Sequence, residues 1–354
     1  MLVWIDILTP KQFWFFTSLE KRLKALGLDV MLTSRRYEQV LPLIEAVGRD
    51  DIIIVGEYGG GSLEGKLRAS IARSMELAEH IINSAPALAV SSGSPEAARI
   101  AYGLAIPHIL ASDTPHSPVN SLCAPLSRRI FTPWIIGKTP WTKYGVRPRS
   151  ITLYRGLDPI AWLDEMPHDK SVLRQYDLRE NNYIVIRGSE FKAAYLGEEY
   201  LTQFIELVRK LAEVSAGYDV VVMPRYGDEV KRLEDVLDSS VKIVKKPVVG
   251  SAILRYSSSF IGGGGTMTQE AALMGVPVFS IYPKKLPEVI SFLIRQGLVK
   301  RPRNVPSLVQ EVKRILRDVD YFKERYTRLA RRIRETMRNP AVEIAHHIKR
   351  SEFT

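Results

Sequence analysis

The stretch SFIGGGGTMTQEAALMGVPVFSIYP, residues 259–283, decides how this chain is read. Phe260 and Ile261 end a short apolar run that reads as a strand. Gly262 to Gly265 follow. Helix formers then run from Thr266 to Met274, with Met267, Ala271 and Met274 at helical spacing, and Gly275 closes the segment. Val276 to Ile281 starts a second strand. Strand, glycine turn, helix and strand make one βαβ unit, the building block of a parallel sheet. The glycines have two readings. Their small size lets strand and helix pack closely. Alternatively, their freedom at positive φ brings backbone amides to an anion at the start of the helix, where unpaired N–H groups and the positive end of the dipole lie. In the second reading Thr266 and Thr268 add hydroxyl donors, and Glu270, one turn in, can accept two ribose hydroxyls. No Lys-Ser/Thr follows the glycines, so this is not a Walker loop, and no GxGxxG opens the chain.

The same alternation extends outward. Strands are expected at Leu2–Leu8, Asp29–Thr33, Ile52–Val55, Ala87–Val90 and Pro107–Ala111, and again at Tyr183–Ile186, Asp219–Met223 and Val241–Val244. Helices are expected at Lys11–Leu26, Lys66–Asn83, Glu198–Val214, Glu229–Leu237 and Ser251–Tyr256, and one opens at Glu96 with Ser94 as its N-cap before Pro95. Asp6, Ser34, Ser91 to Ser94 and Asp113 fall at strand C-terminal ends, the crevice side of an open α/β sheet. Glu57 to Ser62 reads as a flexible loop or a second anion nest. Trp14 and Phe15 lie off the apolar stripe of their helix; they either pack on a neighbouring element or line a groove. From Lys138 to Pro167 prolines, glycines and tryptophans break the pattern, as at a crossover. The expected architecture is therefore α/β, with two tandem Rossmann-like domains at 1–150 and 181–335, a linker at 151–180, and a C-terminal helix at 336–354 that returns to the N-terminal domain.

The 354 residues suffice for two domains, and 45% apolar with 25% charged residues fits a globular protein. The single Cys123 excludes an internal disulfide and a cysteine metal cluster. The N-terminus lacks a basic start and a cleavage site, so no signal peptide is expected and the cytoplasm is the default compartment. Abundant Arg, Lys and Glu with few Cys and Gln match proteins adapted to heat. The net charge of +11 favours anionic partners. Much of it lies in the helical segment from Ser307 to Arg350, in Arg314, Arg317, Arg328, Arg331, Arg332, Arg334 and Arg338. That face is read first as solvated and laced by pairs such as Glu324 with Arg328, and second as a peripheral contact for the inner face of a membrane. Nucleic acid is not an expected partner.

Five motifs together resemble a known family: VWIDI and TPKQ (3–7 and 9–12), SSGSPEAARIAYGLAIP (91–107), DTP (113–115), VVMPR (221–225) and GGGGTMTQEAALMGVPV (262–278). They are similar to a largely archaeal family of GT-B-like proteins of unknown function. That family is in turn similar to the UDP-GlcNAc 2-epimerase and to the lipid-II-forming N-acetylglucosaminyltransferase. The resemblance implies a GT-B architecture with a cleft between its halves, the acceptor on the N-terminal half and a nucleotide-sugar donor, a UDP-sugar, on the C-terminal half. Gly263, Gly264, Gly265, Thr266 and Met267 would face the diphosphate and Glu270 the ribose. Gly188 and Ser189 would form a second phosphate loop, Arg225 would place a cation on a phosphate, and backbone near Lys246 to Val249 would read the base. No tightly bound cofactor or metal is implied.

Departures from the relatives limit the transfer of chemistry. The lipid-linked transferase has a glycine-rich loop with a histidine where this chain has Leu8 to Gln12. The epimerase has an aspartate where Ser91 and Ser92 stand, and a histidine near Arg187 to Phe191 that is absent here. Glycosyl transfer to a saccharide or lipid-linked acceptor is therefore the leading reading, with Asp113 as the base and His116 as the second candidate. The rival for Asp113 is a cap or turn residue. An epimerase or hydrolase on the same donor, and a non-catalytic binder of sugar nucleotides or polyanions, remain as alternatives.

Overall fold

Two wholly parallel sheets carry the chain. The computed structural model describes residues 1–166, 169–188, 198–224, 227–245 and 250–350. It divides into one unit of Met1–Asp164 with the chain from Met337 onward, and a second of Glu165–Thr336.

In the first unit the strands are β1 (Leu2–Ile7), β2 (Asp29–Arg36), β3 (Ile53–Glu57), β4 (Leu88–Ser91), β5 (His108–Ala111), β6 (Arg129–Pro133) and β7 (Ile151–Tyr154), in the order β3-β2-β1-β4-β5-β6-β7. Its helices are α1 (Pro10–Ala25), α2 (Leu41–Ala46), α3 (Leu63–Ser84), α4 (Pro95–Gly103), α5 (Asn120–Leu126) and α6 (Thr139–Thr142). In the second unit the strands are β8 (Tyr183–Arg187), β9 (Asp219–Val222), β10 (Val241–Ile243), β11 (Ser259–Gly262), β12 (Val278–Ser280) and β13 (Val299–Lys300), in the order β10-β9-β8-β11-β12-β13. Its helices are α7 (Ser171–Gln175), α8 (Glu198–Val214), α9 (Gly227–Glu234), α10 (Gly250–Arg255), α11 (Thr266–Leu273), α12 (Glu288–Arg295), α13 (Val305–Arg317) and α14 (Val319–Glu335). Helix α15 (Pro340–Arg350) returns to the first unit and packs on α1.

Each sheet grows outward from its first strand in one direction and then resumes on that strand's other side. The reversal lies between β1 and β4 in one unit and between β8 and β11 in the other. Helices on both faces explain the continuous apolar runs of β1 and β8, which are buried nearly throughout. Helix α1 starts where Thr9 accepts the Gln12 amide at 3.3 Å, with Pro10 just inside, and it buries Phe13, Phe16, Leu19 and Leu23. Phe15 is buried too, edge-on to Trp162, and Trp14 is half-buried against Phe13, so the pair forms no exposed groove.

Three local expectations need correction. Strand β2 continues through Ser34, Arg35 and Arg36, because β3 pairs with it that far. Strand β7 lies in the stretch read as irregular, and β6, just before that stretch, is not among the expected strands. Runs of four or five residues carry little periodicity, and only pairing with β5 and with each other makes them strands. The basic C-terminal segment is broken at Asp318, which caps α14, as well as near Pro340. The anticipated pair of Glu324 with Arg328 is present, at 3.6 Å. Among the described residues no helix is long and apolar enough to cross a membrane.

Candidate functional site

In the second unit the reversal between β8 and β11 is lined by glycine. Gly262 ends β11, and a Cβ there would meet the Phe260 ring at 2.5 Å and Thr268 Oγ1 at 2.6 Å, so close packing accounts for this glycine. Gly264 and Gly265 differ. Their φ values of +88° and +87° are left-handed, where glycine carries no steric penalty. The Gly263 amide donates to the Arg187 carbonyl at 2.9 Å, which sets the loop beside Gly188 at the end of β8. Gly265 is the N-cap of α11, and among the described residues no side chain caps the helix start. The first-turn amides thus open onto the ligand end of the sheet, with Gly265 exposed and Thr266 and Met267 half-exposed. The Met267 side chain reaches toward Gly250 and Met223. Glu270 is buried one turn in, and Thr268 is fully buried with no hydrogen bond to its hydroxyl among the described residues. Ser189, Arg225 and the segment from Lys246 to Val249 lie outside the described residues.

In the first unit the equivalent reversal, between β1 and β4, is closed by a side chain. The Gln12 carbonyl oxygen accepts from the Leu8 amide at 2.7 Å, and its Nε2 donates to the Ser92 carbonyl at 2.7 Å. Below it lies a buried ionic centre. Asp6 receives both Arg73 terminal nitrogens at 2.6 and 3.0 Å, Thr33 Oγ1 at 2.7 Å and Ser94 Oγ at 2.6 Å. Burial alone would raise the Asp6 pKa, but the guanidinium and these donors hold it below the usual carboxylate range. Arg73 also donates to the Val55 carbonyl at 2.9 Å, and its stem passes where a Gly56 Cβ would sit. Asp6 is therefore a structural centre, not a crevice residue. Ser34 is likewise buried, donating to the Ile7 carbonyl at 2.9 Å. Ser94 caps α4 through the Ala97 amide, as expected.

Further along the same edge stands a cluster that joins three strand ends. Lys11 Nζ lies 2.5 Å from Asp113 Oδ1 and 2.7 Å from Asp158 Oδ2. Thr114 Oγ1 donates to the same Asp113 oxygen at 2.7 Å, and the Tyr154 hydroxyl donates to Asp158. Burial would lower the Lys11 pKa, but Asp113 and then Asp158 outweigh it and raise it. Burial, with the charge of Asp113 behind it, raises the Asp158 pKa against the pull of Lys11. The Tyr154 phenol is pushed up by burial and by both carboxylates. One cation faces two carboxylates, so the cluster can hold and pass a proton.

Asp113 follows β5 and does not cap α5, which begins at Asn120. His116 is exposed on the intervening turn. Arg35, at the end of β2, has its Cζ 5.5 Å from the Tyr37 ring centroid and 5.1 Å from that of Tyr58, and its Nε is buried without a partner among the described residues.

Lys11, Gln12, Asp158, Tyr154 and Arg35 carry no role in the sequence reading. One signal for Lys11 was available. A lysine in the first turn of a helix opposes the dipole and calls for a carboxylate nearby. Asp158 was hidden in the stretch read as linker. Among the described residues no three His, Cys, Asp or Glu side chains converge as metal ligands.

The sequence profile of a family described as a protein of unknown function, DUF354, matches residues 1–336. This chain belongs to the DUF354 family. A curated relative, the uncharacterized protein MJ0665 of Methanocaldococcus jannaschii, is 27% identical over 322 residues, 88% of this chain and 90% of that protein. The structure is similar to that of the M. jannaschii UDP-GlcNAc 2-epimerase in complex with UDP-GlcNAc and UDP. The TM-score is 0.72 at 13% identity, covering 99% of this chain and 100% of that one. It is also similar to the Streptomyces sp. SF2575 glycosyltransferase SsfS6 complexed with thymidine diphosphate, with a TM-score of 0.62 at 17% identity, covering 99% and 100%. At these identities the likeness establishes the fold. This DUF354 protein has the GT-B arrangement of two Rossmann-like domains.

Proposed function

We propose that this DUF354 protein is a sugar-nucleotide enzyme. It binds a nucleoside diphosphate sugar, with uridine as the favoured base, on its second unit and transfers the sugar to an acceptor hydroxyl. The observation that carries the reading is the uncapped start of α11 behind Gly264 and Gly265, with Glu270 buried one turn in. Backbone amides suit a diphosphate, and a carboxylate one turn deeper suits the ribose hydroxyls. The solved structures of the same fold with UDP-GlcNAc, UDP or thymidine diphosphate support this choice of ligand.

In this reading Asp113 takes the acceptor proton, and Lys11 and Asp158 hold its orientation and charge. His116, exposed on the same turn, is the second proton carrier. Arg35, beside the paired rings of Tyr37 and Tyr58, gives the acceptor side a cation for an anionic group. The amides of α11 stabilise the departing diphosphate.

The arrangement of Lys11 between two carboxylates also favours a second reading, epimerisation of the bound sugar, because it sets an acid and a base in one place. The test is calorimetric titration with UDP, UDP-GlcNAc, thymidine diphosphate, GDP and ADP, followed by product analysis. Selective binding of a uridine nucleotide, weakened by about 1–3 kcal/mol in Glu270→Ala, is expected. Equal affinity in that variant, or binding of none of the five, overturns the donor site. A new glycoside with free diphosphate marks transfer, and an epimeric sugar nucleotide marks the second reading.

A further inference from the structure

Helix α3 spends much of its apolar surface on solvent. Its buried face is Arg73, Leu77 and Ile81. Round from that face Leu63 is 85% exposed, Leu67 61%, Ile71 55%, Met75 71% and Ile82 53%. They fall within one arc of the helix, since the spacings of four, four, four and seven residues keep to one side, and Ala78 in the same arc is partly buried against the core. Five large side chains this open make an apolar patch on the order of 500 Å², in the range of the largest patch on a typical monomer, which is often functional. Arg73, one residue from the middle of the helix, is tied to Asp6, so the stripe is held on a fixed scaffold.

The stripe is nearly symmetric about its own centre. Leu63 and Ile82, and Ile71 and Met75, are each spaced about equally from a point beside Ala72. An antiparallel copy of the same helix, related by a two-fold axis at that point, would therefore meet exposed apolar residue with exposed apolar residue at the centre and at both ends. Charge follows the same polarity. Lys66 and Arg68 lie in the N-terminal half, and Glu76 and Glu79 in the C-terminal half. Glu64, the remaining acid of the first half, is held by Arg68 at 2.8 Å. Antiparallel pairing brings unlike charges together at both ends, and in particular Arg68 within a turn of Glu79 of the partner subunit. Glu64 and Glu79 beside the stripe make an anionic membrane a poor occupant.

We propose that α3 is a self-complementary docking surface and that the protein is a homodimer through it, with two α3 helices antiparallel across a two-fold axis. Doubling the patch gives about 1,000 Å² of apolar contact before the rim is counted, near the lower limit for a stable interface.

Sedimentation equilibrium of the full chain from about 1 to 100 µM tests this. The expected result is a dimer, at least tenfold weakened by Ile71→Glu and by Met75→Glu. Both positions are solvent-exposed, and circular dichroism confirms that the variants fold. Arg68→Glu and Glu79→Arg each weaken the dimer, and the double exchange restores it. A monomer throughout the range, or a dimer that neither glutamate variant weakens, overturns the proposal. So does a monomer that co-sediments with vesicles of phosphatidylcholine and phosphatidylglycerol through the same residues, since that assigns the stripe to lipid.

Discussion

The two sheets reverse strand order at corresponding places, yet they treat those places in opposite ways. Between β1 and β4 the amide of Gln12 satisfies both loop backbones, and Asp6, Arg73, Thr33 and Ser94 fill the space beneath. Between β8 and β11 the chain offers glycine backbone and an uncapped helix start. Strand order creates a crevice in each case, and among the described residues the second presents backbone where the first presents a side chain. The first unit gathers its clustered charges farther along the sheet instead, at Lys11, Asp113 and Asp158. The comparison separates a unit suited to hold an anion through its backbone from one suited to handle protons through side chains.

The sharpest way to break that division is Asp113→Asn. It keeps the shape of the cluster but removes the basic oxygen. Turnover is expected to fall by roughly 10²–10⁴-fold, with nucleotide affinity, measured by calorimetry, unchanged. A loss of nucleotide affinity would show that the division is wrong. Unchanged turnover would remove Asp113 from the chemistry.

Next in size is Arg73→Met. It leaves Asp6 charged, fully buried and without its cation. A cost of about 3–5 kcal/mol in urea denaturation is expected, since stranding one member of a buried pair is worse than lacking both. A cost below about 1 kcal/mol would mean that Asp6 is protonated in the fold and that the centre is not ionic.

A smaller effect concerns the polar seam under β4 and β5. The Ser127 hydroxyl donates to the Cys123 carbonyl, so His108 Nδ1 must donate to Ser127, leaving Nε2 to accept from Ser91, each at 2.9 Å. Burial holds this imidazole neutral, lowering its pKa from 6.5 to about 4, with only Asp6 pulling the other way. The unfolded chain takes up the proton first as the pH falls. Stability from this group is therefore complete above pH 6.5 and is lost down to about 4, by on the order of 3 kcal/mol. His108→Gln should flatten that part of the stability–pH curve. An unchanged slope would place the acid sensitivity elsewhere.

The βαβ reading of residues 259–283 stands because it needs only local information: an apolar run, a glycine turn and helical spacing. The helix at Glu198–Val214 stands for the same reason, and in the structure it has those same bounds. The meaning of the glycines was not local. Gly262 is there to pack against Phe260 and Thr268, and only Gly264 and Gly265 use positive φ, a division that depends on atoms elsewhere in the chain. The site in the first unit was less legible still. Asp113 stood out as a polar residue after a strand, but its partners Lys11 and Asp158 lie 102 and 45 residues away in sequence, in the first turn of α1 and just after β7. Asp6 looked the same as Asp113 by pattern, and the structure separates them by burial: Asp6 faces Arg73 inside the sheet edge.

By itself, then, the sequence determined the alternation of strands and helices, the parallel sheets that follow from it and the glycine turn at the second reversal. These rest on side-chain periodicity and backbone freedom, which each residue carries with it. Tertiary structure decided which charges are spent holding the fold and which remain for chemistry, and it left the apolar stripe of α3 facing solvent. Those outcomes depend on which distant side chain arrives within hydrogen-bond reach and on which helix face meets the core. Neither is a property of any single stretch of chain.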